Sequence, residues 1–173
     1  MIWTRNTLLA TVVAAAVLAG SLPRAASAQS VLARAVVIDG SLAMQRERDL
    51  DFQDVLRNTV VTVPVNSNGS GRWRITGPTG AGINLQFFLP TALWVGAQSL
   101  PISFNSTAGG ESYQNNPRFA TLFDPNVIRT TQLRPNGGGL ILVWLGGTVT
   151  VSPTQPPGVY TSPVTLVVSY TGS

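Results

Sequence analysis

From Val60 onward, apolar residues recur at every second position, and this period of two constrains the fold more than any other feature of the chain. Val61, Val63 and Val65 fall on one face, opposite Val60, Thr62 and Pro64. Trp73 and Ile75 alternate with Arg72, Arg74 and Thr76, and Ile83, Leu85, Phe87 and Leu89 with Asn84 and Gln86. Leu100, Ile102 and Phe104 alternate with Pro101 and Ser103. Near the end Tyr160, Val164, Leu166, Val168 and Tyr170 share a face, opposite Thr161, Pro163, Thr165 and Ser169. Side chains alternate across a strand, so this pattern marks antiparallel sheet with one face in a core and one in water. Turn-forming clusters separate the runs at 66–71, at Gly77-Pro78-Thr79-Gly80, at Asn136-Gly137-Gly138-Gly139, and at Pro153 with Gln155-Pro156-Pro157-Gly158. Six or more short strands punctuated in this way predict an all-β sandwich. Pro64 and Pro163 cannot donate to a ladder, which places each at a strand end or on an edge.

Two regions depart from the pattern. Residues 105–136 are long, polar and irregular, and read either as a functional loop or as a surface insertion. The one helical hint, Phe119, Leu122 and Phe123, lies inside this region, just ahead of Asp124-Pro125. Leu140 to Leu145 is apolar on both faces, which suits either a central strand covered on both sides or one that faces a partner. Gly146-Gly147 then permits a bulge or bend before Thr148 to Val151.

The N-terminus reads as a secretory leader. Arg5 supplies a positive start, Leu8 to Leu18 is apolar apart from Thr11, and Ala26-Ser27-Ala28 has the small-x-small form that signal peptidase reads. The run is shorter than the roughly 20 apolar residues that span a membrane. Cleavage after Ala28 is expected, leaving one domain over residues 29–173, exported by the Sec pathway to the periplasm, cell surface or medium. No stable membrane span is expected in the mature chain.

Composition excludes several classes of function. The chain has 11 Arg and no Lys, with 7 acids, no His and no Cys. That rules out zinc fingers, thiolate metal sites, a cysteine nucleophile, a Ser-His-Asp triad and a disulfide framework. Charged residues make up 10% of the chain, against about 25% in an average soluble domain, while Gly (17) and Pro (12) are plentiful. Losing Arg5 and Arg24 with the leader takes the 11 bases to 9 against 7 acids, too weak and dispersed a charge for nucleic acid.

Short motifs at both ends of the domain carry a resemblance. Arg48-Asp49-Leu50-Asp51-Phe52 resembles the R-D-L-D-F-G opening of a family of secreted bacterial β-sandwich proteins of unknown function, with Gln53 where the family has Gly. Gly71-Arg72-Trp73-Arg74-Ile75-Thr76-Gly77 is similar to its G-R-F-x-V-T-G strand. Gly146-Gly147-Thr148-Val149-Thr150-Val151, and Pro157-Gly158-Val159-Tyr160 through Val167-Val168-Ser169-Tyr170, are similar to its closing pair. That pair is also distantly similar to spore-coat-U-type proteins and to pilins of chaperone–usher systems. The resemblance implies an immunoglobulin-like antiparallel sandwich of about seven strands on an envelope or surface structure, and brings no catalytic residues with it.

Candidate sites are few. Asp49, Asp51 and Asp54 lie close together and have the oxygen chemistry of calcium ligands, but Arg46, Arg48 and Arg57 stand beside them as counter-charges. Surface ion pairing is the expectation, with no metal and no cofactor. Glu47, Glu111 and Asp124 are the carboxylates a glycosidase would need, and nothing in the sequence pairs them. No enzyme is expected. Among the aromatics, Trp94, Tyr113 and Trp144 are candidate contacts for a glycan, a host surface or a protein partner, since flat rings bind sugars and dominate interfaces. Trp73 and Trp144 also sit at apolar strand positions that suit a core. Trp94, between Pro90 and Gly96 in an expected connection, is the ring most suited to exposure.

The expected function is therefore an exported, non-enzymatic structural or adhesive component, with a carbohydrate-binding module as the alternative. The segment from Gln29 to Ile38 is nearly uncharged, with Val31, Ala33, Ala35 and Val37 on one face. It suits either the first strand of its own domain or a donor strand completing a neighbour's sheet, as in fibre assembly.

Overall fold

The alternating runs form strands in the structure, a computed structural model that describes residues 40–172. The leader and the candidate donor strand of Val31, Ala33, Ala35 and Val37 lie outside the described residues. Twelve strands follow in chain order: β1 (Ala43–Arg48), β2 (Val60–Val63), β3 (Gly71–Thr76), β4 (Gly82–Phe88), β5 (Ala92–Val95) and β6 (Gln98–Ser103), then β7 (Gly109–Ser112), β8 (Thr121–Phe123), β9 (Arg129–Gln132), β10 (Leu140–Leu145), β11 (Gly147–Thr150) and β12 (Thr165–Tyr170). They make three antiparallel sheets: sheet I in the order β1-β3-β10-β7-β8, sheet II in the order β2-β11-β6-β5, and sheet III in the order β12-β4-β9.

The fold is all-β, as the alternation predicts, but richer in strands than the expected seven. The difference lies mostly in residues 105–136, which fold into β7, β8 and β9 in place of a loop. The helical hint there is a single 3-10 turn, Pro117–Phe119, capped by Asn116, whose Oδ1 accepts from Arg118 N at 3.0 Å. Leu122 and Phe123 belong to β8. Trp94 likewise sits on a strand, β5, and not in a connection.

The period-two residues make the main core between sheets I and III. Trp73 and Ile75 of β3, Ile141, Val143 and Leu145 of β10, and Phe123 of β8 meet Ile83, Leu85 and Phe87 of β4, Leu166 of β12, and Leu133. Burying each such large apolar side chain is worth about 1.5–3 kcal/mol. The Trp73 and Phe87 rings meet edge to face at 5.5 Å. Sheet II has its own cluster of Leu100, Ile102, Val149 and Val151, against which Leu50, Phe52 and Phe104 pack; Leu50 and Phe104 also touch the main core and so join the two.

β10 explains the two-faced apolar run. It lies between β3 and β7, with Ile141, Val143 and Leu145 turned to the main core and Leu142 and Trp144 packed on the other face with Val65. None of these five β10 side chains is more than 1% exposed, so the run is a central strand covered on both sides. Gly146 is where the chain crosses from sheet I to sheet II: its N–H donates to Ala108 O at 2.8 Å, and a Cβ there would strike the Val63 carbonyl. Pro64 directly follows β2, and Pro163 precedes β12, both of them end strands in their sheets.

The motif around Arg48 has a structural job. Arg48 Nε donates to Ser70 O at 2.7 Å and Nη2 to Ser70 Oγ at 3.0 Å, clamping the 66–70 turn onto the end of β1. Asp51 N donates to Gly69 O at 2.8 Å, and Asp51 Oδ1 accepts from Gln53 N at 2.8 Å. Leu50 and Phe52 are the apolar half of the same motif.

Candidate functional site

The candidate site is an inter-sheet cleft built around β7. Glu111 stands opposite Val143 on one side and Thr121 on the other, so it shares the core-facing side of sheet I with Val143. A carboxylate in that position requires a partner. Arg129 of β9 supplies it across the sandwich, donating Nη2 at 2.7 Å and Nε at 3.1 Å to Glu111 Oε1, with its guanidinium carbon 5.9 Å from the centre of the Phe123 ring. Glu111 is 6% exposed, and its second oxygen, Oε2, is buried with no donor among the described residues.

A cavity of about 250 Å³ opens beside this pair, lined chiefly by Glu111, Tyr113, Gln114, Phe119, Thr121 and Thr131. Tyr113 is half-buried and donates its hydroxyl to Gln132 O at 3.1 Å, fixing the ring between sheets I and III. Phe119, on the 3-10 turn, is 63% exposed at the rim. A second cavity, of about 280 Å³, lies among Pro64, Asn66, Asn105, Thr107, Arg118 and Leu122. Asn66, Asn105, Thr107 and Arg118 are all exposed there and open to solvent, so among the described residues no buried polar group in this cleft lacks a partner.

The remaining sequence candidates do not converge. Trp94 is 51% exposed on β5, where its N–H donates to Thr161 O at 2.9 Å and its carbonyl accepts from Thr161 N at 3.0 Å. It lines neither cavity and belongs to sheet II, whereas Tyr113 follows β7 of sheet I. Trp144 must be withdrawn as a contact residue: it is 0% exposed, because the strand that carries it is covered on both faces. Its outer neighbour Arg72 sits 6.0 Å from the ring centre.

The carboxylates each have their own partners, arginines for Glu47, Asp49 and Glu111 and an asparagine for Asp124. Glu47 lies 2.5 Å from Arg74 Nε through Oε1 and 2.5 Å from Arg72 Nε through Oε2, the Arg72 contact being off the line of its N–H. Asp49 pairs with Arg46 at 3.0 Å on the surface, and Asp124 Oδ1 accepts from Asn126 N at 2.9 Å. Glu47 on β1, Glu111 on β7 and Asp124 just after β8 thus each have their own partner. Among the described residues no group of three or more acidic side chains is placed to hold a metal ion, and no helix is long and apolar enough to cross a membrane.

No family model matches this sequence, and no curated protein matches it. Sequence reasoning singled out Tyr113 but missed the role of Glu111, whose signal is three-dimensional. Arg129 lies 18 positions away in the chain and reaches Glu111 only once β9 crosses the sandwich.

Proposed function

We propose that this chain is an exported, non-enzymatic structural or adhesive component of a bacterial cell surface, assembling with copies of itself through an edge strand. The observation that carries the reading is the contrast between two end strands. β1 closes one end of sheet I with Arg46, Glu47 and Arg48, and its register slips between Arg46 and Arg48. Charges and bulges of this kind block further pairing. β12 closes sheet III with Thr165 to Tyr170, six residues without a charge, pairing β4 on one side; among the described residues no strand pairs on its other side. An uncharged, β-branched edge is the template that strand addition uses.

The resemblance to secreted sandwich proteins supports the same reading. Gln53, which stands where that family has Gly, adopts φ 58, in the left-handed region that favours glycine. The leader and the nearly uncharged segment 29–38 supply an export route and a donor strand. The test compares a chain beginning at Gln29 with one beginning at Asp39, by sedimentation and by unboiled SDS gels. Ladders that shortening abolishes support the proposal, and a full-length monomer indifferent to the deletion contradicts it.

A further inference from the structure

We infer that Asn136 is a site of spontaneous covalent modification, independent of how the chain assembles. Its side chain cyclises onto the backbone nitrogen of Gly137 and becomes an aspartate or isoaspartate, whereas the fold protects the other Asn-Gly pair of the sequence, Asn68-Gly69. The chemistry belongs to the dipeptide. The backbone nitrogen that follows the asparagine loses its proton and attacks the side-chain Cγ. An N–Cγ bond forms, the Cγ–Nδ2 bond breaks, and the leaving nitrogen takes up a proton and departs as ammonia. Water then opens the succinimide ring at either carbonyl. Glycine favours the first step because it carries no side chain to crowd the approach.

The two pairs differ in what holds them. Asn136 is exposed in the connection between β9 and β10. The backbone bonds nearest to it close the base of that turn: Arg134 N donates to Leu140 O at 3.2 Å, and Gly77 N to Gly139 O at 3.0 Å. Among the described residues no hydrogen bond holds the Asn136 side chain or the Gly137 N–H. Nothing lies within 4 Å of where a Cβ on Gly137 or Gly138 would stand. The amide and the following N–H are therefore free to turn into the attack geometry, where ring closure has the advantage of an intramolecular reaction. Both closing bonds lie outside the modified pair, so the fold survives the change.

Asn68 is exposed too, but the residues on both sides of it are fixed. Ser67 N donates to Pro64 O at 3.0 Å, and Ser67 O accepts from Ser70 Oγ at 2.9 Å. Arg48 Nε holds Ser70 O at 2.7 Å, and Asp51 N donates to Gly69 O at 2.8 Å. A Cβ on Gly69 would lie 2.4 Å from Asp51 O, so the backbone is crowded on that side as well. Turning the 68–69 peptide until its nitrogen reaches Cγ would break this clamp, and a small misplacement of reacting atoms is enough to slow a ring closure.

The experiment ages the folded mature chain at mildly alkaline pH and maps its peptides by mass spectrometry, with isoaspartate methyltransferase labelling to mark the rearranged product. Asn136 is expected to deamidate about tenfold or more faster than Asn68. The rate should rise with pH, because the attacking nitrogen must first lose its proton. In urea the two sites are expected to react at similar rates, since unfolding removes the clamp on Asn68. Asn136→Gln should silence the labelled peptide, because closure would then need a larger ring that forms far more slowly. The aged chain should keep the circular-dichroism spectrum of the fresh one. The inference is overturned if Asn136 stays intact in the folded chain, if Asn68 reacts there as fast as Asn136, if the gap between the two sites persists in urea, or if Asn136→Gln leaves the label in place.

Discussion

Arg129 directs two N–H groups at one oxygen of Glu111, at 2.7 and 3.1 Å, and so ties β9 of sheet III to β7 of sheet I. The pair is unevenly placed, with Arg129 36% exposed and the Glu111 side chain 7% exposed. Removing the arginine therefore harms the molecule more than its own exposure suggests, because it strands a buried carboxylate. Arg129→Ala is expected to lower stability by about 2–4 kcal/mol, the cost of breaking a buried pair discounted for the wet partner. Joint replacement by Arg129→Met and Glu111→Leu should recover most of that loss. Urea denaturation of the two variants checks both figures.

The tryptophans should separate cleanly by burial. Trp144→Ala empties a fully buried site behind β10 and is expected to cost about 3–5 kcal/mol. Trp94→Ala, on a half-exposed ring, is expected to cost under about 1 kcal/mol. The same denaturation curves read both, and comparable losses would contradict the placement of β10 as a central strand.

Most of the sandwich was legible because period two reports one-sided burial. Trp73 and Ile75, Ile83, Leu85 and Phe87, Leu100 and Ile102, and Leu166 all face the cores their spacing indicated. β7 was not legible, since Gly109-Gly110-Glu111-Ser112 carries neither apolar alternation nor β-branched residues. It becomes a strand because β10 needs a neighbour, and its glycines are there for packing. A Cβ at Gly109 would meet the Phe123 ring at 2.6 Å, and one at Gly110 would meet Val65 Cγ1 at 2.5 Å. The candidate site was half legible for the same reason: Tyr113 announces itself as an aromatic in a polar stretch, whereas Glu111 gains its meaning from a partner on another sheet.

Backbone strain at Gln53 offers a stabilising change. Its φ of 58 costs a side-chain-bearing residue energy that glycine escapes, while Asp51 Oδ1 would still accept the N–H of residue 53. Gln53→Gly is expected to raise stability by about 0.5–1 kcal/mol despite the added freedom of the unfolded chain. A thermal melt shows the sign directly.

The clamp at the end of β1 should be sensitive to charge and length together. Arg48→Ala leaves the buried Ser70 carbonyl and hydroxyl without their guanidinium donors and is expected to cost about 1.5–3 kcal/mol. Arg48→Lys restores one donor but not the fork, so it should recover only part of the loss. Denaturant midpoints of the two variants, read against the parent chain, give the order.

Assembly through the uncharged edge of β12 can be blocked at Val167, which is 44% exposed on that strand. Val167→Lys gives β12 the kind of charge that protects β1, with little cost to the core. Sedimentation of the mature chain and of this variant, over a range of concentrations, is the measurement. The parent is expected to associate with rising concentration, and the variant to be a folded monomer with an unchanged circular-dichroism spectrum. A parent that stays monomeric at every concentration, or a variant that associates as strongly as the parent, would contradict it.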